Sequence, residues 1–202
     1  MNGYFVTGTD TGVGKTFVTC ELARLARLAG HRVFAFKPIE TGCAPTALDQ
    51  EALCHAAGDW QTGDLRGCYR FEVPAAPLVA ATEPIELEHI RRTLARGAEL
   101  ASRVFVEGAG GWRVPITSKL DMAGLAIHCQ LPVIVVARAG LGTINHSLLT
   151  AESIVRSGCV LRAIVLSCLP SDDLEFAHSN RQIIADRVSC SVLLSTDLSS
   201  LV

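Results

Sequence analysis

The chain has 202 residues, of which 49% are hydrophobic and 19% are charged, with a formal net charge of -2. This composition is typical of one folded domain, which at this length buries roughly 70% of the surface of its unfolded chain, and it argues against intrinsic disorder. Proteins that bind nucleic acid usually have an excess of positive charge, which this chain lacks, so we expect no nucleic-acid partner.

The eight cysteines include no C-x-x-C pair, and most lie in apolar stretches. We therefore expect free thiols that pack as small hydrophobic groups in a reducing compartment, rather than disulfides or a zinc site. No apolar run approaches the ~20 residues of a membrane span, and the start of the chain lacks a secretory signal pattern. The expected location is the cytoplasm, with no membrane partner.

The first motif in the chain is Gly-Thr-Asp-Thr-Gly-Val-Gly-Lys-Thr at residues 8–16, between an apolar run at 4–6 and a helical pattern at 17–29. A strand, a glycine-containing turn and a helix in this order predict a polyphosphate site, because backbone N–H groups converge there at a helix N-terminus. Lys15 is expected to reach the terminal phosphates, and the hydroxyl of Thr16 is expected to bind Mg²⁺.

The sequence pattern of this loop differs from that of the commonest phosphate loop, G-x-x-x-x-G-K-[ST], in which the first glycine stands five positions before the second. Here that position holds Thr9, and Gly8 stands one place earlier. A dinucleotide-binding turn is disfavoured, because its third glycine would fall on position 17, which is Phe17. The sequence therefore predicts a variant phosphate loop.

Beyond this loop, short apolar strands alternate with helical patterns. Gly30 is predicted to end the first helix. Further strands are predicted at 33–36, 104–106, 133–136 and 163–166, and further helices at 86–101, 119–129 and 145–157. Strands that are apolar throughout are covered on both faces, so the fold class is α/β, with a doubly wound, mainly parallel sheet of the P-loop NTPase type. We expect residues 1–202 to form a single domain.

Polar residues follow several of these strands, where the carboxyl edge of such a sheet binds ligands. Lys37 follows the strand at 33–36, Glu107 follows the strand at 104–106, and Ser167 follows the strand at 163–166. Glu107 is a candidate Mg²⁺ ligand, with capping of the next segment as the alternative. For Asp49, near a predicted helix start, the residues alone favour a helix cap. Lys37 is either a site residue or an ordinary solvated lysine.

Four motifs together resemble the dethiobiotin synthetase family. They are the loop at 8–16, Lys-Pro-Ile-Glu-Thr-Gly at 37–42, Glu-Gly-Ala-Gly-Gly-Trp at 107–112 and Leu-Gly-Thr-Ile-Asn-His at 141–146, in the family's order. The resemblance implies an ATP-dependent ligase of biotin biosynthesis. Such an enzyme closes a cyclic urea from 7,8-diaminononanoate and CO₂, requires Mg²⁺ and ATP, releases ADP and phosphate, and acts as a homodimer.

The resemblance also implies roles for individual residues. Lys15 and Lys37 match catalytic positions, and Thr16, Asp49 and Glu107 match the metal positions. Substrate contacts are implied for Thr11, Lys37, Thr41, Gly110 and Asn145, the last of which the dimer partner would supply. Nucleotide contacts are implied for Gly12, Val13, Gly14, Lys15, Thr16, Phe17, Asp49, Glu107, Gly108, Ala109, Gly110 and Ser167.

The sequence departs from the family where the nucleobase would bind. Family members commonly have an asparagine after the strand at 163–166, whereas this chain has Ser167 followed by Cys168. A serine offers fewer donors and acceptors to a base edge than an amide does. ATP is the expected nucleotide, and the use of another nucleoside triphosphate stays open.

Two other classes share this fold pattern, and fold alone cannot separate them. One is a partitioning-type ATPase, a switch that dimerises on nucleotide and binds a membrane or a protein partner; such proteins carry a basic amphipathic helix, which we do not expect here. The other is an amide-forming synthase related to the cobyrinate enzymes. Its glutamine-hydrolysing domain is not expected in a chain of this length.

Overall fold

The computed structural model describes all 202 residues. Eight strands occur in chain order: β1 (Gly3–Gly8), β2 (Val33–Phe36), β3 (Ile39–Thr41), β4 (Tyr69–Phe71), β5 (Arg103–Gly111), β6 (Val133–Arg138), β7 (Leu161–Ser167) and β8 (Ser191–Leu194). Seven α-helices alternate with them: α1 (Lys15–Leu28), α2 (Leu48–Ala56), α3 (Pro77–Ala80), α4 (Leu87–Glu99), α5 (Met122–Cys129), α6 (Thr143–Arg156) and α7 (Leu174–Ala185). Short 3₁₀ helices span Gly63–Arg66 and Leu198–Leu201.

Six strands form one parallel sheet in the order β2-β5-β1-β6-β7-β8, and β3 and β4 form a separate parallel pair. The chain starts at the centre of the sheet with β1 and winds outward in both directions. The α/β class and the doubly wound parallel sheet are confirmed. The carboxyl ends of β1, β2 and β5 therefore lie side by side.

Helices cover both faces of the sheet because its strands are apolar on both sides. One core contains Val18, Leu22 and Ala26 of α1, packed with Val6, Ile134 and other strand residues. The opposite core contains side chains of α4, α5, α6 and α7 packed with residues such as Phe5 and Val135. Burial of these apolar side chains is the main term that stabilises the layered fold.

The outer strand β2 is shielded by two side chains that follow α2. The side-chain amide of Gln61 pairs with the backbone of Ala35, accepting from its N–H at 3.3 Å and donating to its carbonyl at 2.9 Å. The indole N–H of Trp60 donates to the carbonyl of Val33 at 2.8 Å. These contacts satisfy backbone groups that an edge strand otherwise leaves unpaired, and they fix the strand that leads to Lys37.

The predicted strands and helices are all present; β2 has the predicted ends, and each of the others is shifted at one end or both. Helix α6 begins at Thr143 rather than 145, and Gly142 is its N-cap. The helix start expected near Asp49 is α2, whose N-cap is Ala47. Asp49 is the second residue of that helix and not its cap, so the capping interpretation is wrong. The elements β3, β4, α3, α7 and β8 were not predicted.

All eight cysteines are free thiols, and none of them is fully exposed. Burial raises the pKa of the Cys129 thiol to about 12 and that of Cys68 to about 11, so these groups stay protonated and inert near neutral pH. No helix in the chain has the length and the apolar character that crossing a bilayer requires.

Candidate active site

The phosphate loop connects β1 to α1, and its geometry depends on Gly14. This residue is the N-cap of α1 with φ 93° and makes no side-chain capping bond. The first-turn N–H groups of a helix have no hydrogen-bond acceptors within the helix, and no capping side chain accepts from those of α1. An added Cβ on Gly14 would lie 2.3 Å from Oγ of Ser167. The close packing of β7 against the loop therefore requires glycine at this position.

Lys15 lies folded over its own loop. Its Nζ donates to the backbone carbonyl of Asp10 at 2.9 Å, and the residue is only 7% exposed. Burial lowers the pKa of the Lys15 ammonium to about 8, partly offset by the attraction of Glu107, and the nearby charge of Lys37 lowers it further. The ammonium is thus poorly solvated, so it gains much from a nearby anion.

Lys37, Glu107, Asp49 and Thr16 form one polar cluster beside this loop. The Nζ of Lys37 donates to Oε1 of Glu107 at 2.9 Å and also to Oδ2 of Asp49. The hydroxyl of Thr16 donates to the same Glu107 oxygen at 2.8 Å. The cluster thus joins the end of β2, the interior of β5, the start of α2 and the start of α1.

The charges in this cluster are tightly coupled. Burial by itself lowers the pKa of the Lys37 ammonium, but the attraction of Glu107 and Asp49 and their hydrogen bonds outweigh burial and raise the pKa above its ordinary value. Lys37 is therefore a permanent cation at physiological pH. It cannot serve as a general base in this arrangement, but it can stabilise a developing negative charge.

The residues predicted to hold magnesium fit that ion. Glu107 is fully buried, and its Oε2 has no hydrogen-bond partner. Asp49 is 40% exposed at the cavity. Hard oxygen donors from one or two carboxylates and a hydroxyl, completed by phosphate and water, are the set that Mg²⁺ prefers. No group of three or more His, Cys, Asp or Glu side chains in the chain is arranged so that it could hold a metal ion.

Two further residues, which sequence reasoning missed, hold the start of α2. The carboxylate of Glu40 accepts from the backbone N–H of Asp49 at 3.0 Å and from that of Gln50 at 2.8 Å. The side chain of Gln50 donates to the carbonyls of Lys37 at 3.0 Å and Tyr69 at 3.2 Å. No sequence pattern reports this arrangement, because Glu40 precedes Asp49 by nine residues and accepts from backbone N–H groups rather than from a side chain.

A cavity of ≈ 360 Å³ opens between the phosphate loop and the polar cluster. Most of the predicted site residues line it. They are Thr11, Gly12, Gly14, Lys15, Thr16, Phe17, Lys37, Thr41, Asp49, Ala109 and Gly110. Glu107 lies beneath the cavity and contacts it through Thr16 and Lys37. Residues from four separate parts of the sequence therefore meet in one pocket.

Besides Glu107, four predicted residues do not line this cavity. The side chain of Val13 is in the hydrophobic core under the loop, and Gly108 packs near Phe5. Ser167 is buried against Gly14. Asn145 is exposed on α6 and is not among the residues that line the pocket.

A family model described as "AAA domain" matches residues 2–197 of the chain. Solved structures with similar folds include the MinC:MinD cell division complex of Aquifex aeolicus, with a TM-score of 0.59, 14% identity, and coverage of 95% of this chain and 79% of that one. The signal recognition particle receptor FtsY of Elizabethkingia anophelis also has a TM-score of 0.59 and 14% identity, covering 95% of this chain and 57% of that one. At such identity the likeness shows the P-loop fold alone.

Curated relatives are much closer in sequence. A protein from an Anaeromyxobacter species is 46% identical, with 91% of this chain and 84% of that protein covered. A protein from Aquifex aeolicus is 37% identical, with 90% and 82% covered. Both are named ATP-dependent dethiobiotin synthetase. Three of the four motifs, at 8–16, 37–42 and 107–112, contribute residues to one cavity. Together with this site, the similarity over nearly the whole length shows that the chain belongs to the ATP-dependent dethiobiotin synthetase family.

Proposed function

We propose that the protein is an ATP-dependent dethiobiotin synthetase, which converts 7,8-diaminononanoate and CO₂ to the cyclic urea dethiobiotin and releases ADP and phosphate. The observation that carries this proposal is the position of Lys37, whose ammonium lies between Glu107 and Asp49 at the side of a phosphate loop. Lys15 is the first cation at the phosphate loop and Lys37 is the second. Two cations suit a reaction in which an anionic substrate group approaches the terminal phosphate of the nucleotide.

The first task of the site is to bind the triphosphate. The amide groups at the start of α1 would receive the phosphate oxygens, and the ammonium of Lys15 would turn from the Asp10 carbonyl to the terminal phosphates. Lys15 is buried and poorly solvated in the free protein. When the Lys15 ammonium exchanges the neutral carbonyl of Asp10 for a negatively charged phosphate, its interaction becomes stronger, and this favours binding of the triphosphate.

The second task is to hold the reacting carboxyl group. One neutral amine of the substrate would attack CO₂ and release a proton to solvent, which gives a carbamate. One carbamate oxygen would then attack the γ-phosphorus as the bond to the ADP oxygen breaks. Lys37 can donate hydrogen bonds to the carbamate and to the charge that develops at the phosphoryl oxygens. The wall formed by Thr11, Thr41 and Gly110 is on the same cavity and would position the diamine.

Ring closure would follow from the mixed carbamic-phosphoric anhydride. The second amine would attack the carbonyl carbon, phosphate would leave with the bonding electron pair, and the amine would give its proton to the leaving phosphate or to water. Because Lys37 stays protonated, its role is to stabilise the leaving phosphate by charge and not to remove that proton.

We propose Thr16, Asp49 and Glu107 as the residues that hold Mg²⁺. The two ammonium groups and two carboxylates of the site carry formal charges that cancel, so the chain alone does not neutralise a bound triphosphate. When bound, the ion would supply this missing positive charge at the phosphate oxygens. The unpartnered Oε2 of Glu107 supports this assignment.

We also propose that the enzyme is a cytoplasmic homodimer in which Asn145 of one subunit contacts the substrate in the other. Two features support this. Asn145 lies on an exposed part of α6, and near it Leu141 is 95% exposed and Leu149 is 58% exposed. Exposed apolar side chains grouped in one region of the surface, here around the start of α6, are typical of a protein–protein interface.

The preferred nucleobase is a separate part of the proposal. ATP is the expected nucleotide, as the name of the relatives indicates. Ser167, which stands where an amide is common in the family, is packed against Gly14 and offers the base no amide group. We therefore propose weak discrimination between nucleoside triphosphates.

The direct test is product formation. The purified protein is incubated with diaminononanoate, bicarbonate, Mg²⁺ and each of the four nucleoside triphosphates, and the cyclic urea is sought by mass spectrometry. We expect product with the unmodified chain and with Lys119→Ala, an exposed lysine control, and none with Lys15→Ala. If the protein hydrolyses nucleotide but forms no cyclic urea under any condition, the proposal is wrong. That result would favour the partitioning-type ATPase.

A further inference from the structure

Helix α2 has an unusual N-terminus for a helix that carries an active-site residue. Its N-cap is Ala47, whose methyl side chain accepts no hydrogen bond. The first N–H groups of a helix need acceptors, and a cap residue normally supplies one to the second or third helical residue. In α2 those two residues are Asp49 and Gln50, so the acceptor for them has to come from elsewhere in the chain.

Glu40, at the centre of the short strand β3, supplies both acceptors. Its Oε1 accepts from the N–H of Asp49 at 3.0 Å and its Oε2 accepts from the N–H of Gln50 at 2.8 Å. The residue is 5% exposed, so water competes weakly for these contacts. A carboxylate at this point also interacts favourably with the positive end of the helix dipole.

The side chain of Gln50 connects α2 back to the segment that leads into β3, the strand of Glu40. Its side-chain amide donates to the carbonyl of Lys37 at 3.0 Å, three residues before Glu40. A Cβ on Gly67 would lie 2.0 Å from that amide, and Gly67 has φ 156°, so glycine leaves room for Gln50. The segment 37–40 and the first turn of α2 are thus joined at two points, with Asp49 between them.

We propose that Glu40 is a positioning residue that fixes the backbone of Asp49, and through it the Asp49 carboxylate beside Lys37 and the proposed Mg²⁺ site. Glu40 touches neither cofactor nor reacting atoms in this scheme. It acts as the outer partner of a metal-binding carboxylate, holding its main chain rather than its side chain. The inference rests on the proposed metal role of Asp49 but not on the identity of the product.

The test compares Glu40→Ala with Glu51→Ala, which removes the same charge from an exposed position in the first turn of α2. The first readout is hydrogen exchange of the α2 amides. We expect about fivefold faster exchange at Asp49 and Gln50 in Glu40→Ala, the factor for loss of one capping interaction, and no change in Glu51→Ala.

The second readout is the Mg²⁺ concentration that half-saturates nucleotide binding, measured by calorimetry. Loss of an outer partner of a metal ligand typically weakens metal binding about 10- to 100-fold, and we expect this for Glu40→Ala, with nucleotide binding in the absence of Mg²⁺ unchanged. In an Asp49→Asn background the same Glu40 change should add nothing, because the carboxylate that it positions is gone. A general loss of stability would not give this selective pattern.

A rescue variant separates capping from other effects. Ala47→Ser places a hydroxyl at the cap position, where it can accept from Asp49 or Gln50. Added to Glu40→Ala, it should slow exchange and restore the Mg²⁺ dependence together. If Glu40→Ala does not fold, Glu40→Gln keeps one carbonyl acceptor and should show a smaller effect in the same direction.

An unchanged Mg²⁺ requirement in Glu40→Ala, or equal effects with and without the Asp49 carboxylate, would overturn the inference. Neither readout needs dethiobiotin to be formed. Failure of product formation by the unmodified chain would therefore reject the proposed function while leaving the inference about Glu40 open to its own measurement.

Discussion

Lys37 and Glu107 each follow the registered pair Phe36 and Val106 of β2 and β5 by one position, Lys37 just past the end of β2 and Glu107 within β5. The ion pair between them, at 2.9 Å, is therefore a product of strand register. A slip of one residue would turn one of the two side chains to the opposite face of the sheet. The close packing of these apolar strands thus sets the geometry of the charged site.

Replacing Lys37 by alanine should affect chemistry more than binding. We expect the rate of cyclic urea formation to fall by roughly 10²–10³-fold, the typical loss for one donor that stabilises charge in a transition state. Nucleotide affinity should stay nearly intact because Lys15 and the loop amides are unchanged. Steady-state kinetics and calorimetry measure both, with Lys119→Ala as the control; unaltered turnover would remove Lys37 from the mechanism.

Replacing Lys15 by alanine should abolish both tight triphosphate binding and phosphoryl transfer. The variant loses the ammonium that pairs with the terminal phosphates, and the helix amides alone hold the anion more weakly. Isothermal titration calorimetry with a non-hydrolysable triphosphate provides the measurement. Normal affinity in this variant would show that the loop does not bind phosphate in the way proposed.

Nucleotide affinity should depend on pH through Lys15. Burial lowers the pKa of this ammonium to about 8 in the free protein, whereas contact with phosphate raises it. Binding then requires the protonated form, so affinity is full below the free-state pKa and is lost as the pH rises above it. We expect a roughly tenfold weaker affinity at about pH 9 than at about pH 7. Proton uptake, measured by calorimetry in buffers of different ionisation enthalpy, provides a second check.

Gly14→Ala should disable the loop, whereas Gly140→Ala should be tolerated. The first change places a Cβ 2.3 Å from Oγ of Ser167 at a residue with φ +93°, whereas a Cβ on Gly140 meets no atom within 4 Å. Strain of this kind costs about 1–3 kcal/mol. Thermal unfolding and nucleotide titration of the two variants would measure the difference, and similar behaviour of both would contradict the packing described here.

The parts of the site that follow long apolar strands were predictable from sequence. Lys15 and Thr16 stand at a helix start and Lys37 at a strand end, and Glu107 directly follows the apolar run at 104–106, although β5 continues beyond it to Gly111. The parallel topology then requires them to share one edge. The resemblance to a family added Asp49, for which the residues alone favoured a cap.

The remaining parts depend on contacts that sequence patterns do not encode. Strands β3 and β4 have three residues each, too few to show a period of two. The link between Glu40 and α2 joins positions nine residues apart through backbone amides, and no side-chain pattern reports it. Ser167 was placed near a base by analogy, but packing against Gly14 determines its position.

The bond from Lys15 to the carbonyl of Asp10 bears on how quickly a nucleotide can enter. An ammonium already tethered to its own turn keeps that turn in shape before any ligand arrives, so little ordering remains to be done at the moment of encounter. Entry then requires one side chain to exchange hydrogen-bond partners and does not require a rearrangement of the loop backbone. Diffusion and charge attraction, not reshaping of the turn, should limit the rate of capture.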